Sequence, residues 1–147
     1  PCTQLCRGPL GWVTPTGHST HRQDPLPLAI ADRDRFLAKG QDCEWARAAT
    51  TALDKAGRRY RVAYTSASQL GTHAPVVAGL AVTVSTLSWL PHGLRPLGPD
   101  EGLPPLPHFG ILMLKAQNAS QPVTDALAAH IDANFQAGAM TAAGTLQ

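Results

Sequence analysis

The sequence predicts an α/β fold built on a parallel sheet, and three observations predict it. "PLPLAIA", residues 25–31, is an unbroken apolar run of the kind that makes a strand buried on both faces. Residues 42–57 place Ala46, Ala49, Leu53 and Ala56 at helical spacing. The alternation then continues with a β-rich stretch at 60–65, a helix-like stretch to Gly79 and a second β-rich stretch at 81–87. Strand, helix, strand, helix, strand with short connections specifies parallel strands joined by right-handed crossovers.

Each element has a local cause. Residues 10–14 form a short apolar strand closed by Pro15 and Gly17, with residues 1–9 ahead of it as a loose tail. "HSTHRQDPLP" is a polar loop in which His18 is a turn residue, and "DRDRFLAKGQ" is a charged turn after the buried strand. Asp42 is an N-cap, Glu44 lies in the first turn, and Gly57 supplies the left-handed residue that ends many helices. The second helix starts at Ser66 or Ser68. It contains Pro75, which should kink a regular interior at a cost of about 3 kcal/mol. From Pro91 the chain is a proline-rich, extended connector. "FGILMLKA" is a buried strand, and "SQPVTDALAAHIDANF" is a helix capped by Ser120, with Pro122 and Asp125 in its first turn. The remaining tail, "GAMTAAGTLQ", should fray.

Composition narrows the function classes. The 147 residues are 44% hydrophobic and 15% charged, a globular balance. A formal net charge of +2 is too small to imply a nucleic-acid surface. The densest basic cluster, Arg58, Arg59 and Arg61, follows Gly57, where cations complement the negative end of a helix. Three unevenly spaced cysteines argue against a disulfide framework and for a reducing compartment, so the chain is expected to be cytoplasmic. Cys2, Cys6, His18 and His21 match no standard zinc spacing, and neither a metal nor a cofactor is expected. No apolar run reaches the roughly 18 residues of a membrane span, and nothing reads as a signal peptide. The chain begins at Pro1 rather than Met, as a fragment or processed product would.

Several motifs in order carry a family resemblance. "LGWVTPTGHS", "DPLPLAIA", "CEWARAATTALDKAGRRYRVAYTS", "VVAGLAVTV", "GLPPLPHFGILMLKA" and "PVTDALAAHI" together resemble the effector-binding (substrate-binding) domain of LysR-type transcriptional regulators, from about Leu10 to Asn134. The resemblance implies two Rossmann-like lobes of the type II periplasmic-binding-protein architecture, with a small-molecule cleft between them. Residues 10–90 resemble the second lobe. Residues 91–136 resemble the connector with the returning strand and helix of an otherwise incomplete first lobe, and 137–147 are a tail. Nothing resembles the family's helix-turn-helix, its linker helix or the opening half of its first lobe. Ala81 stands where the family usually has a second Gly, and Ser85 and Thr86 stand where a Leu-Pro pair usually ends the strand.

Function then turns on the serines. A nucleophilic serine needs a neighbouring base and usually a Gly-x-Ser-x-Gly elbow. Ser66 and Ser68 sit in "YTSASQ" without flanking glycines, and His73 is poorly placed to turn back to them. No catalytic residue is expected. A serine at a helix start caps exposed N–H groups, and the same position can present them to an anion. Cys43 reads as an inert buried thiol or as a cleft-lining, redox-responsive one. Asp32, after the buried strand, reads as a cleft contact or a solvated loop charge. The resemblance implies an effector wall of Asp32, Cys43, Thr65, Ser66 and Ser68 at the carboxyl ends of the parallel strands, with Ser68 also capping. Its ligand would be a small organic effector, with anions included in that class. The family also implies a homo-oligomer, contact with DNA only through a helix-turn-helix outside this chain, and no membrane partner. The alternatives are a transport solute-binding domain of the same architecture and, from another class, a small hydrolase using Ser66.

Overall fold

The computed structural model describes residues 2–31, 43–87, 90–119 and 121–144, with side chains as far as 136 in the last stretch. The chain divides into two units, Pro9–Pro107 and a second made of Pro1–Gly8 with His108–Gln147.

The larger unit is organised around β2 (Leu26–Ala31). Leu26, Pro27, Leu28 and Ala29 are all buried, and four successive buried residues mean that both faces of the strand are covered. Each large apolar side chain placed there contributes roughly 1.5–3 kcal/mol. β3 (Tyr60–Ser66) runs parallel to β2, from Leu26 opposite Tyr60 to Ala31 opposite Ser66, with a register irregularity between Leu28 and Ala29. Between them lies α1 (Glu44–Lys55), whose buried Ala49 and Leu53 come from the apolar stripe. Both helices of this unit end in the same way. After α1, Gly57 takes φ +64, its N–H reaches the Asp54 carbonyl (3.1 Å), and the Arg58 N–H reaches that of Leu53 (3.0 Å). After α2 (Gln69–Val77), Gly79 takes φ +80, its N–H reaches Val76 (2.9 Å), and the Leu80 N–H reaches Pro75 (2.9 Å). This pair of bonds satisfies carbonyls that the helix leaves open. The chain stays helical through Pro75. Pro75 removes one rung of the ladder, the bond that an N–H there would give to the Gly71 carbonyl, and the helix ends two residues later.

The third strand makes the sheet arrangement mixed, beside the parallel pair of β2 and β3. Only Val82 is parallel: it bridges Leu28, accepts from the Ala29 N–H (2.9 Å) and donates to the Pro27 carbonyl (2.9 Å). The next residues, β4 (Thr83–Thr86), pair antiparallel with β1 (Cys2–Pro15), from Leu10 opposite Thr86 to Val13 opposite Thr83. β1 is also paired antiparallel with β5 (Leu94–Pro96), so the connector is not irregular throughout. The Trp12 indole N–H pins it again at the Pro104 carbonyl (2.7 Å). Val13, Ala29, Val76, Ala81 and Leu94 form one core cluster, with Leu87 and Leu90 packed against it.

In the other unit, the first half of β1 pairs with β6 (His108–Leu114). Residues 2–9 are therefore strand rather than a loose tail. "CTQLCRGP" has no clean alternation and ends in proline, and its strand is held by pairing with a segment about a hundred residues away. α3 (Gln121–Gly144) runs through most of the segment expected to fray, because Ala and Met there are strong helix formers. Lys115 Nζ donates to Asp125 Oδ1 (2.7 Å) beside its first turn. The expected caps Asp42 and Ser120 lie outside the described residues.

Candidate functional site

The parallel strands end together, since Ser66, the last residue of β3, lies opposite Ala31, the last of β2. Two residues later stands Ser68, the N-cap of α2, in extended conformation (φ −117, ψ 147). The Ser68 hydroxyl oxygen accepts from the Gly71 N–H (3.1 Å), while its carbonyl accepts from the Thr72 hydroxyl (3.1 Å). The Ser66 hydroxyl oxygen accepts from the Ser68 N–H (3.2 Å) and lies 3.5 Å from the Ser68 hydroxyl. Ser66 is half-buried and Ser68 exposed. Two hydroxyls thus sit side by side at a helix start, where first-turn N–H groups lack intrahelical acceptors and carry partial positive charge. The Ser66 partners are an N–H and a hydroxyl, neither of them a base, so this arrangement does not activate a nucleophile.

Gly71 completes the arrangement. A Cβ at that position would lie 2.9 Å from Ser66 Cβ and 3.1 Å from the Ser68 hydroxyl oxygen. Sequence reasoning passed over this residue, although a glycine three positions after a serine cap is a legible sign of something packed on the first turn. His73, in the second turn, is buried, and burial pushes its imidazole below the ordinary histidine range.

The other expected contacts are dispersed. Thr65 pairs with Ile30 and is exposed, and strand alternation turns it to the face opposite Ser66. Cys43 occupies the N-cap position of α1, one place before the first turn where it was expected. It is half-buried and makes no side-chain capping bond. Asp32 lies outside the described residues. Among the described residues, no group of three or more His, Cys, Asp or Glu is placed to hold a metal ion, and no helix is long and apolar enough to cross a membrane.

A family model, the LysR substrate binding domain, matches residues 1–136. The chain belongs to that family. It is 39% identical over 127 residues to the HTH-type transcriptional regulator DgdR of Burkholderia cepacia, which covers 86% of this chain and 40% of the relative. It is 30% identical over 80 residues to the HTH-type transcriptional regulator PecT of Dickeya dadantii (strain 3937), covering 54% and 25%. The chain therefore spans less than half the length of these curated relatives. Among solved structures, the regulatory domain of HypT from Salmonella typhimurium matches with a TM-score of 0.59 at 12% identity, over 93% of this chain and 65% of that one. The CcmR regulatory domain from Synechocystis PCC6803 matches with a TM-score of 0.55 at 13% identity, over 92% and 66%. The fold is that of LysR regulatory domains, a class of the type II periplasmic-binding-protein kind and not an enzyme class. Relatives that are transcriptional regulators do not favour the transport alternative.

Around the serine pair, this LysR domain braces the far end of α2. The His18 ring lies over Gly79, 2.7 Å from where a Cβ would stand, and the Thr20 hydroxyl donates to the Gly79 carbonyl (2.8 Å). Two arginines of the basic cluster, Arg58 and Arg59, also reach this turn and the residues after it. Arg58 donates to the carbonyls of His21 (3.3 Å) and Gln23 (2.9 Å). Arg59 grips Asp24 with two bonds (3.2 and 2.9 Å), which hold that carboxyl below its ordinary range.

Proposed function

We propose that this chain is the effector-sensing part of a LysR-type transcriptional regulator, and that it takes a small organic anion at the start of α2. The observation that carries this reading is the hydroxyl pair of Ser66 and Ser68, 3.5 Å apart, at the carboxyl end of a parallel strand. Hydroxyls at a helix start, where the dipole is positive, suit a carboxylate or phosphate. Open α/β sheets bind ligands at the carboxyl ends of their strands. On this reading Asp32, Cys43 and Thr65 line the remainder of the wall. Residues 10–90 supply the second lobe, and residues 91–136 the connector and the returning strand and helix of the first. The regulator would be a cytoplasmic homo-oligomer that meets DNA through a helix-turn-helix domain.

Thermal unfolding of the protein with a panel of small mono- and dicarboxylates and sugar phosphates tests the reading. A ligand at a hundred times its Kd adds about 2.7 kcal/mol of stability, a clear rise in Tm. At least one anion should stabilise the wild type, and Ser66→Ala should shrink the shift. A panel that leaves Tm unchanged, or a shift indifferent to Ser66, would overturn it.

A further inference from the structure

His21 is a buried titratable group that the proposed site does not use. It sits in the 3-10 turn Thr20–Arg22, is 4% exposed, and neither ring nitrogen has a hydrogen-bond partner. Its Nε2 lies 3.6 Å from Glu101 Oε1. Glu101 is already engaged: Arg95 donates to both of its oxygens (2.9 and 2.7 Å), and the Gly98 N–H donates to Oε2 (2.8 Å). Arg95 lies on β5 and Glu101 on the short 3-10 turn that follows, Pro99–Glu101. The imidazole is therefore pressed against the connector at its Arg95–Glu101 ion pair.

We propose that His21 is a proton-sensitive latch: connector residues 94–104 dock over the neutral imidazole and loosen when it is protonated. The charged ring needs acceptors for two N–H groups. Among the described residues, the carboxylate in reach already accepts from Arg95 and Gly98, its Oε1 at 3.6 Å is too far to hydrogen-bond Nε2, and Nδ1 has no acceptor. The groups facing the ring are Glu101, which favours the imidazolium, and Arg95 and Arg22, which oppose it. A fourth charged group, Arg58, donates to the His21 carbonyl. Burial opposes the charge more strongly than Glu101 supports it, so the ring holds its proton less readily than a free histidine. A group depressed in this way leaves the junction fully closed above the ordinary histidine value of about 6.5 and weakens it as pH falls below. The same turn holds the Gly79 carbonyl, two residues past the end of α2, through the Thr20 hydroxyl.

Amide hydrogen exchange of the protein at pH 7.5 and 5.5, corrected for intrinsic rates, tests the latch. Residues 94–104 of the wild type should exchange faster at the lower pH by up to about tenfold, a difference of up to about 1.4 kcal/mol in opening. His21→Gln should abolish the difference, and His73→Gln, altering the other buried histidine, should keep it. Equal protection at both pH values, or a rise that survives His21→Gln, would overturn the proposal. Should His21→Gln not fold, proton NMR titration of the wild-type ring decides instead. Titration well below 6.5 supports the latch, and titration at or above 6.5 overturns it.

Discussion

Gly71 and Ser66 share one space: the Ser66 side chain fills the volume that any Cβ at position 71 would need. Alanine at 71 gains about 1 kcal/mol of helix propensity over glycine but forces Ser66 off the first turn of α2. Overpacking typically costs about 1–3 kcal/mol, so Gly71→Ala should be neutral to destabilising rather than stabilising. Chemical denaturation of Gly71→Ala alone and with Ser66→Gly checks this. The second change should recover the propensity gain, with a favourable coupling between the two sites.

Ser68 separates the capping role from the binding role. Ser68→Ala should cost about 1 kcal/mol, because the Gly71 N–H loses its acceptor. Ser68→Asp keeps a good cap and a favourable dipole interaction, so its stability should stay within about 0.5 kcal/mol of wild type. The new negative charge should nevertheless weaken binding of an anionic effector at least about tenfold. Urea midpoints and calorimetric titration of the same two variants measure both effects.

Gly79 is bound by two constraints, a left-handed φ of +80 and the overlying His18 ring. Gly79→Ala should cost about 1–2 kcal/mol from the backbone alone, plus the clash. Adding His18→Ala should relieve only the clash, leaving the backbone cost. A double-mutant cycle from denaturation midpoints separates the two.

Glu101 should govern acid stability of the connector. Its carboxyl is pushed down from 4.5 to about 2, first by the bonds from Arg95 and then by the Gly98 N–H. A depressed carboxylate stabilises the fold above its unfolded value and loses that contribution as pH falls through the folded one. The stability gap between wild type and Glu101→Gln should therefore be full at pH 5 and above, and close between about 4.5 and 2. Urea unfolding across that range measures it.

What the sequence determined by itself is local. Leu26 to Ala29 read as a strand buried on both faces because four adjoining apolar residues leave no polar face. Gly57 read as a helix stop because a positive φ is costly for other residues, and it takes φ +64. Ser68 read as a cap because a short hydroxyl at that position satisfies an N–H that the helix cannot. What only the tertiary structure decided is partnership across distance. β1 gains its first half from β6, and β4 turns from β2 to an antiparallel pairing with β1. Gly71 accommodates Ser66, and His21 meets Glu101 eighty positions along the chain. Turns, caps and apolar runs depend on a few adjoining residues. Pairing and burial of charge depend on which surfaces fill one another, and spacing along the chain does not encode that.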